Sequence, residues 1–138
     1  MTYVLDTNAV SALMKGSEPV IERLAACAPS DVGVPQPVIA ELAFGLERLP
    51  RSKRRSALEA RFELICSELS RVLWTDDVSL AYGRIKALLE RRGARIEDFD
   101  AAIAAHALAH SATLVTANID QMTRVPDLQV EDWGRPLS

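Results

Sequence analysis

Acidic side chains that could bind a metal ion recur at three separated points of the sequence. Asp6 follows the apolar run 3–5, Glu41 lies within an apolar segment, and Asp100 precedes an alanine-rich segment. Carboxylates grouped without histidine or cysteine either raise their own pKa values or bind hard divalent cations. Oxygen ligands alone favour Mg²⁺ or Mn²⁺ over zinc. If the three acids meet, the predicted chemistry is polarisation of a phosphodiester and orientation of a nucleophilic water.

Each of these acids also has a purely structural interpretation. Asp6 is a good N-cap for the helical pattern that follows it. Glu41 shares a predicted inward face with neighbours such as Val38, Leu42 and Gly45, but it could instead turn to solvent or pair with Arg48. Capping and the helix dipole explain part of the presence of acids at 98 and 100. Both interpretations stay open for each stretch taken alone.

The elements that must position these acids alternate between strands and helices. Apolar runs predict buried strands at 3–5, 32–34, 72–74 and 113–116, with a short edge strand at 128–130. The order β-α-α-β-α-α-β-α-α-β-α-β predicts an α/β fold, with a short parallel sheet of four to five strands and helices on both faces. Such sheets bind ligands at the carboxyl ends of their strands.

The polar residues fall at one edge of this predicted sheet. Asp6 and Thr116 end two strands, and Glu41 lies on a helix just after another strand. Asp100 opens the helix that leads into the last central strand. These positions can therefore converge on one site.

Composition limits the class of protein. With 138 residues, of which 49% are hydrophobic and 25% charged, the chain has the size and composition of one globular domain. It contains no apolar run of membrane-spanning length and no signal-like start, so a cytoplasmic protein is expected. Cys27 and Cys66 lack metal-ligand or disulfide-framework spacing. The net charge of −3 argues against a large nucleic-acid surface but allows a local basic patch.

Two basic segments could form such a patch. The denser one is 51–55, and the second comprises Arg84, Lys86, Arg91, Arg92 and Arg95. Contact with phosphates is one interpretation, and a solvated helix surface is the more common one. His106 lies on an alanine-rich helix, where a packed or hydrogen-bonded role is expected rather than a ligand role.

The sequence resembles the PIN-domain ribonucleases over essentially its whole length, and specifically the VapC-type toxins of type II toxin–antitoxin pairs. The matching motifs are Leu5-Asp6-Thr7-Asn8, Ala40-Glu41-Leu42-Ala43-Phe44-Gly45, Phe99-Asp100-Ala101-Ala102-Ile103-Ala104-Ala105-His106-Ala107, Leu114-Val115-Thr116-Ala117-Asn118, Arg124-Val125-Pro126-Asp127-Leu128 and Glu131-Asp132-Trp133. The resemblance implies a single three-layer PIN domain spanning 1–138 and a metal-dependent endoribonuclease activity.

The resemblance also implies roles for individual residues. Asp6, Glu41 and Asp100 match the catalytic acids. Of these, Asp6 and Asp100 would hold Mg²⁺, with Mn²⁺ as a substitute, and Glu41 would help to hold it or orient the attacking water. The surrounding polar residues and candidates for a fourth position are Thr7, Asn8, Asp98, Thr116, Asn118 and Asp120. Gln121 stands where a Glu is common, so either Asn118 or Asp120 is expected to fill the fourth acidic position.

The function implied by the resemblance is hydrolysis of a phosphodiester in structured RNA such as tRNA, leaving a 5′-phosphate and a 3′-hydroxyl. A VapB-type antitoxin would cover the acids, and the chain would form a homodimer, a higher assembly with the antitoxin, and no membrane contact. The alternative is a catalytically weak PIN-fold module that binds antitoxin or RNA without turnover. A phosphohydrolase acting on small esters is disfavoured, because Asp6-Thr7-Asn8 lacks the second Asp that phosphoaspartyl enzymes use.

Overall fold

A computed structural model describes residues 1–135 and contains a five-stranded sheet flanked by helices. The strands are β1 (Tyr3–Leu5), β2 (Val32–Pro35), β3 (Ser70–Val72), β4 (Thr113–Val115) and β5 (Val130–Glu131). Their order is β3-β2-β1-β4-β5, and every neighbouring pair is parallel. The predicted α/β class with a parallel sheet is therefore confirmed.

The helices lie in the connections between the strands, as the sequence pattern predicts. They are α1 (Thr7–Met14), α2 (Glu18–Ala25), α3 (Gln36–Glu47), α4 (Lys53–Glu68), α5 (Asp76–Arg91), α6 (Asp98–Ala109) and the short α7 (Ile119–Met122). Gly16 and Gly93 follow α1 and α5 with φ of 81° and 65°, the left-handed conformation that ends helices and favours glycine. None of the helices within residues 1–135 is long and apolar enough to cross a bilayer.

The core forms where β1, β2 and β4 are buried on both faces. Val4, Leu5, Val32 and Leu114 have no exposed surface, which explains why these runs show no polar alternation. The alanine-rich part of α6, residues 101–107, is buried throughout, so its small side chains allow the helix to pack closely. Burying these apolar groups is the main stabilising contribution of the fold.

The third strand lies earlier in the chain than the sequence predicts. The prediction of 72–74 is wrong. Val72 pairs with Pro35, the last residue of β2, and α3 begins at the next residue, Gln36, so β3 has no strand to pair with beyond Val72. Leu73 and Trp74 are consequently exposed. The edge strand predicted at 128–130 also shifts, to Val130–Glu131, where it pairs with β4.

His106 is packed inside the fold, as expected for this helix. It is fully buried, and its Nδ1 lies 2.7 Å from the Ala102 carbonyl oxygen. The Trp74 ring meets it edge-on, with centroids 5.2 Å apart. Burial lowers the pKa of His106, so the neutral ring is favoured at this position.

The close approach of β2 to its neighbours gives a test of the packing. A Cβ atom added at Gly33 would lie 2.5 Å from Val72 Cγ2 and 2.5 Å from Met1 Sδ. Gly33→Ala must displace the branched core side chain of Val72, so we expect it to lower the free energy of unfolding by about 1–3 kcal/mol in urea titrations.

Gly83→Ala is the matched control, because Gly83 lies within α5 and a Cβ there has no atom within 4 Å. Alanine is the better helix former, so this variant should gain up to about 1 kcal/mol. Equal unfolding midpoints for the two variants would contradict the tight packing of β2.

Candidate active site

Asp6 lies at the junction of the central strand and the first helix. Its backbone amide donates to the Val115 carbonyl at 3.0 Å, which continues the β1–β4 ladder by one residue. Its carboxylate accepts a hydrogen bond from the Ala9 amide through Oδ1 at 2.8 Å, so Asp6 is the N-cap of α1. The residue is only 5% exposed. Because the cap uses Oδ1, capping α1 is compatible with a further role for the same carboxylate.

The strand register places two other polar residues beside Asp6. Leu5 pairs with Val115, and Val115 pairs with Glu131. The next residues, Asp6, Thr116 and Asp132, therefore form a row across the carboxyl ends of β1, β4 and β5, which we call the carboxyl-edge row. Thr116 is buried, and its hydroxyl accepts a hydrogen bond from the Asn118 amide at 2.9 Å.

Asp132 is a member of this row that the sequence did not identify as a site residue. It lines a small cavity together with Asn8 and Thr116, and its charge acts on Asp6. Its carboxylate accepts the Gly134 amide at 2.8 Å and pairs with Arg135 at 3.2 Å. The signal that would have found it is the register of β5, which the sequence predicted at 128–130.

Glu41 lies at the border of the buried face of α3. Val38, Leu42 and Leu46 form that face, whereas Gly45 is exposed, so the predicted inward face including Gly45 is wrong. The Glu41 carboxylate accepts a hydrogen bond from the Thr7 hydroxyl at 2.5 Å. This bond joins the first turn of α1 to α3 and turns Glu41 toward Asp6.

The two acids at the start of α6 point to different surroundings. Asp100 is half-buried, and its charge acts together with those of Glu41 and Asp6. Asp98 is exposed and pairs with Lys86, whose Nζ lies 2.8 Å from Asp98 Oδ1. This ammonium group holds the pKa of Asp98 below its ordinary value. Asp100 therefore belongs with Asp6 and Glu41, and Asp98 does not.

Asp6, Glu41 and Asp100, here called the acid cluster, lie near enough to one another for their charges to affect the pKa values of Asp6 and Asp100. Burial is the largest cause that raises the pKa of Asp6, and the charges of Glu41 and Asp132 raise it further. Hydrogen bonds from Thr116 and from the Ala9 amide oppose this rise. Burial also raises the pKa of Asp100, followed by the charges of Glu41 and Asp6. The charge of Glu41 thus disfavours ionisation of both Asp6 and Asp100.

The residues proposed for the fourth position occupy the loop and helix after β4. The Asn118 side-chain amide donates to the Gln121 side-chain oxygen. Asp120 is exposed on α7, and its charge is not among the causes that raise the pKa of Asp6 or Asp100. Asn8 is exposed in the first turn of α1.

The donor atoms of this cluster are all hard oxygen atoms, from carboxylates and threonine hydroxyls. Across residues 1–135, no three carboxylate, imidazole or thiol side chains are grouped as the ligands of one ion. Mg²⁺ usually keeps several waters and takes only one or two protein carboxylates. The chemistry of the donor set therefore fits an ion of that kind.

Comparison with known proteins shows the family to which the chain belongs. A model of the PIN domain family matches residues 3–128. Ribonuclease VapC2 of Rickettsia felis is 32% identical over 137 residues, which cover 98% of this chain and 100% of the relative. The tRNA(fMet)-specific endonuclease VapC of Salmonella typhimurium is 26% identical over 133 residues, covering 96% and 98% of the two chains.

A solved structure shows the same fold. The crystal structure of VapBC2 from Rickettsia felis, bound to a DNA fragment from their promoter, contains a chain with a TM-score of 0.86 and 30% identity. The match covers 96% of this chain and 99% of that chain. The resemblance inferred from the motifs is confirmed, and so is the enzyme class. The chain belongs to the PIN-domain family and, within it, to the VapC ribonuclease toxins.

Proposed function

We propose that this chain is a Mg²⁺-dependent endoribonuclease that hydrolyses a phosphodiester bond in structured RNA in the cytoplasm. The observation that carries this proposal is that the charge of Glu41 acts on both Asp6 and Asp100, and that of Asp6 on Asp100, although the three acids lie on separate elements. The relative from Salmonella typhimurium is named for tRNA(fMet), which supports tRNA as the kind of RNA to test first.

Asp6 and Asp100 are the residues that would hold Mg²⁺, with Mn²⁺ as a substitute. The charge of Glu41 raises the pKa of both groups, and the charge of Asp6 also raises that of Asp100, a repulsion that a divalent cation would relieve. When bound, the ion supplies positive charge beside the scissile phosphate and favours deprotonation of a bound water. Hydrogen bonding with Thr116 lowers the pKa of Asp6 and so favours the ionised carboxylate that would bind the ion.

Glu41 is the residue that would orient the attacking water. The Thr7 hydroxyl holds one of its carboxylate oxygens, so the other can accept a proton-bearing water in a fixed direction. Attack of the water oxygen on phosphorus breaks the bond to the 3′-oxygen. The products are a 5′-phosphate and a 3′-hydroxyl, and the leaving oxygen takes up a proton.

A VapB-type antitoxin is the proposed inhibitor. The related Rickettsia felis structure is of VapBC2, which supports a paired partner for this chain. An antitoxin Arg could pair with the buried carboxylates and compete with the metal ion for them.

We also infer a homodimer and a higher assembly with the antitoxin. The groove of about 510 Å³ beside Leu80, Leu88 and Leu108 offers apolar surface for a second copy.

A second candidate function is a PIN-fold module that binds its antitoxin or RNA without turnover. Asn118 and Gln121, rather than acids, occupy the region of the fourth position, and they hydrogen-bond to each other. A site with one fewer negative charge would bind the metal ion with lower affinity. The cleavage assay below separates the two functions.

Two substitutions at the start of α6 test the assignment of the acids. With Mg²⁺, the purified chain should cut tRNA and leave 5′-phosphate ends, and EDTA should abolish the cut. Asp100→Asn should reduce the cleavage rate on the order of 100-fold or more, because it removes charge from the cluster. Asp98→Asn should stay within about twofold, because that carboxylate faces Lys86 on the surface.

End-labelled tRNA on denaturing gels gives both rates. Equal losses in the two variants would contradict the assignment of Asp100. A wild-type chain that binds RNA but shows no metal-dependent cut would favour the module without turnover.

The buried charge of Asp6 also predicts a change in stability. A raised pKa in the fold means that stability is full below the ordinary pKa of 3.8 and is lost as the pH rises through the higher folded value. Asn is neutral at every pH and can still accept the Ala9 hydrogen bond. Asp6→Asn should therefore raise the free energy of unfolding at pH 7 by on the order of 1 kcal/mol, in EDTA.

The gain should disappear near pH 3, where the wild-type carboxyl is protonated as well. Thermal unfolding of both proteins across that pH range measures it. Mg²⁺ should stabilise the wild type and leave Asp6→Asn nearly unchanged. A variant that is less stable than the wild type at pH 7 would show that capping outweighs charge burial.

A further inference from the structure

An exposed stripe continues along α3 from the catalytic acids. Glu41, Phe44 and Arg48 are spaced i, i+3 and i+7, which places them on one side of the helix. Phe44 is 62% exposed, and the Arg48 guanidinium carbon lies 5.3 Å from its ring centroid. With a rise of 1.5 Å per residue, Arg48 lies about 10 Å along the axis from Glu41. An aromatic ring and a cation thus stand beside the cluster.

Gly45 leaves this stripe open in the middle. It is an exposed residue inside α3, and a Cβ built there meets no atom within 4 Å. Glycine costs helix stability relative to alanine at such a position. Because Gly45 has no side chain, the helix backbone next to the Phe44 ring is accessible.

The basic run that follows α3 divides into two groups in the structure. Arg55 is engaged by Glu47 at 3.3 Å and Glu59 at 3.2 Å, and it donates to the Leu49 carbonyl at 3.0 Å. Arg51, Lys53 and Arg54 are exposed, and no ion pair involves them in the part of the chain that the structure describes. Because Glu47 and Glu59 pair with Arg55, the three exposed cations are available to bind another partner.

We propose that the RNA substrate lies along this surface, here called the α3 path and formed by Phe44, Gly45, Arg48, Arg51, Lys53 and Arg54. A base stacks on the open side of the Phe44 ring, and phosphates on one side of the scissile bond contact the cations beyond it. This inference rests on the proposed ribonuclease function and adds the binding surface for a single-stranded or looped segment of the RNA.

The chemistry of the α3 path favours RNA over an apolar protein helix. Single-stranded nucleic acids bind where aromatic side chains stack on bases and a line of cations follows the backbone. One large apolar ring followed by unpaired cations fits that pattern. The cores of protein interfaces are instead depleted of charged residues. Binding of the antitoxin to the same surface is the competing outcome that the test below distinguishes.

Binding is best measured with bulk tRNA and a fluorescein-labelled 12-nucleotide oligouridylate, in an Asp100→Asn background that does not cut. Phe44→Ala should weaken binding by roughly 5- to 100-fold, because stacking on one aromatic ring is lost. Phe44→Trp should restore it. Leu64→Ala is the control, since Leu64 on α4 is also apolar and 56% exposed.

The cations and Gly45 give independent readouts. Replacing Arg51, Lys53 or Arg54 by Ala should reduce the slope of log affinity against log salt by roughly 0.7 each, whereas Lys15→Ala beyond the far end of α1 should not. Gly45 is exposed and a Cβ there meets no atom within 4 Å, so the melting temperature of Gly45→Leu should match or exceed that of the wild type while RNA binding falls.

Unchanged RNA affinity in Phe44→Ala and Gly45→Leu would overturn the α3 path. Loss of binding to the cognate antitoxin with normal RNA affinity would assign the surface to the antitoxin and also overturn the proposal. Cleavage of tRNA by the wild-type chain with Mg²⁺ is measured alongside. Its absence would count against the proposed function, whereas the binding of the variants judges the α3 path.

Discussion

The burial of the Asp6 carboxylate is the constraint on which the rest of the site depends. A carboxylate at the end of a fully buried strand is costly unless hydrogen bonds or a cation compensate for lost hydration. The chain supplies the Ala9 amide, Thr116 and the turn into α1, yet it also brings the charges of Glu41 and Asp132 close. The local hydrogen bonds therefore hold the carboxylate in place without neutralising it.

The remaining architecture can be understood as the support for this arrangement. The sheet buries valine and leucine on both faces, and α6 covers it with alanine, so the core tolerates an acidic cluster at one edge. The Thr7–Glu41 hydrogen bond links α1 to α3 across that edge. Stability and site chemistry thus oppose each other locally, as is common where a fold positions groups for catalysis.

Local patterns predicted much of this structure from the sequence. The β1–Asp6–α1 junction follows from an apolar run and a capping preference, which act over a few residues. What failed was non-local. The end of β3 depends on where Pro35 leaves the sheet, and the place of Asp132 depends on the register of β5. Likewise, the ion pair of Arg55 with Glu47 on α3 distinguishes it from the basic residues beside it, and a sequence pattern does not reveal such a contact between helices.

The pairing of β1 with β4 has a consequence for the order of events in folding. Val4 pairs with Leu114, so the central contact of the sheet joins segments far apart in the chain. Contacts of such long range form slowly, because the loop between them must close first. Before β4 joins, Asp6 has no Thr116 beside it and Asp100 has no fixed place against the sheet. The acid cluster can therefore form only after β4 has paired with β1, so its assembly depends on the longest-range contact of the central sheet.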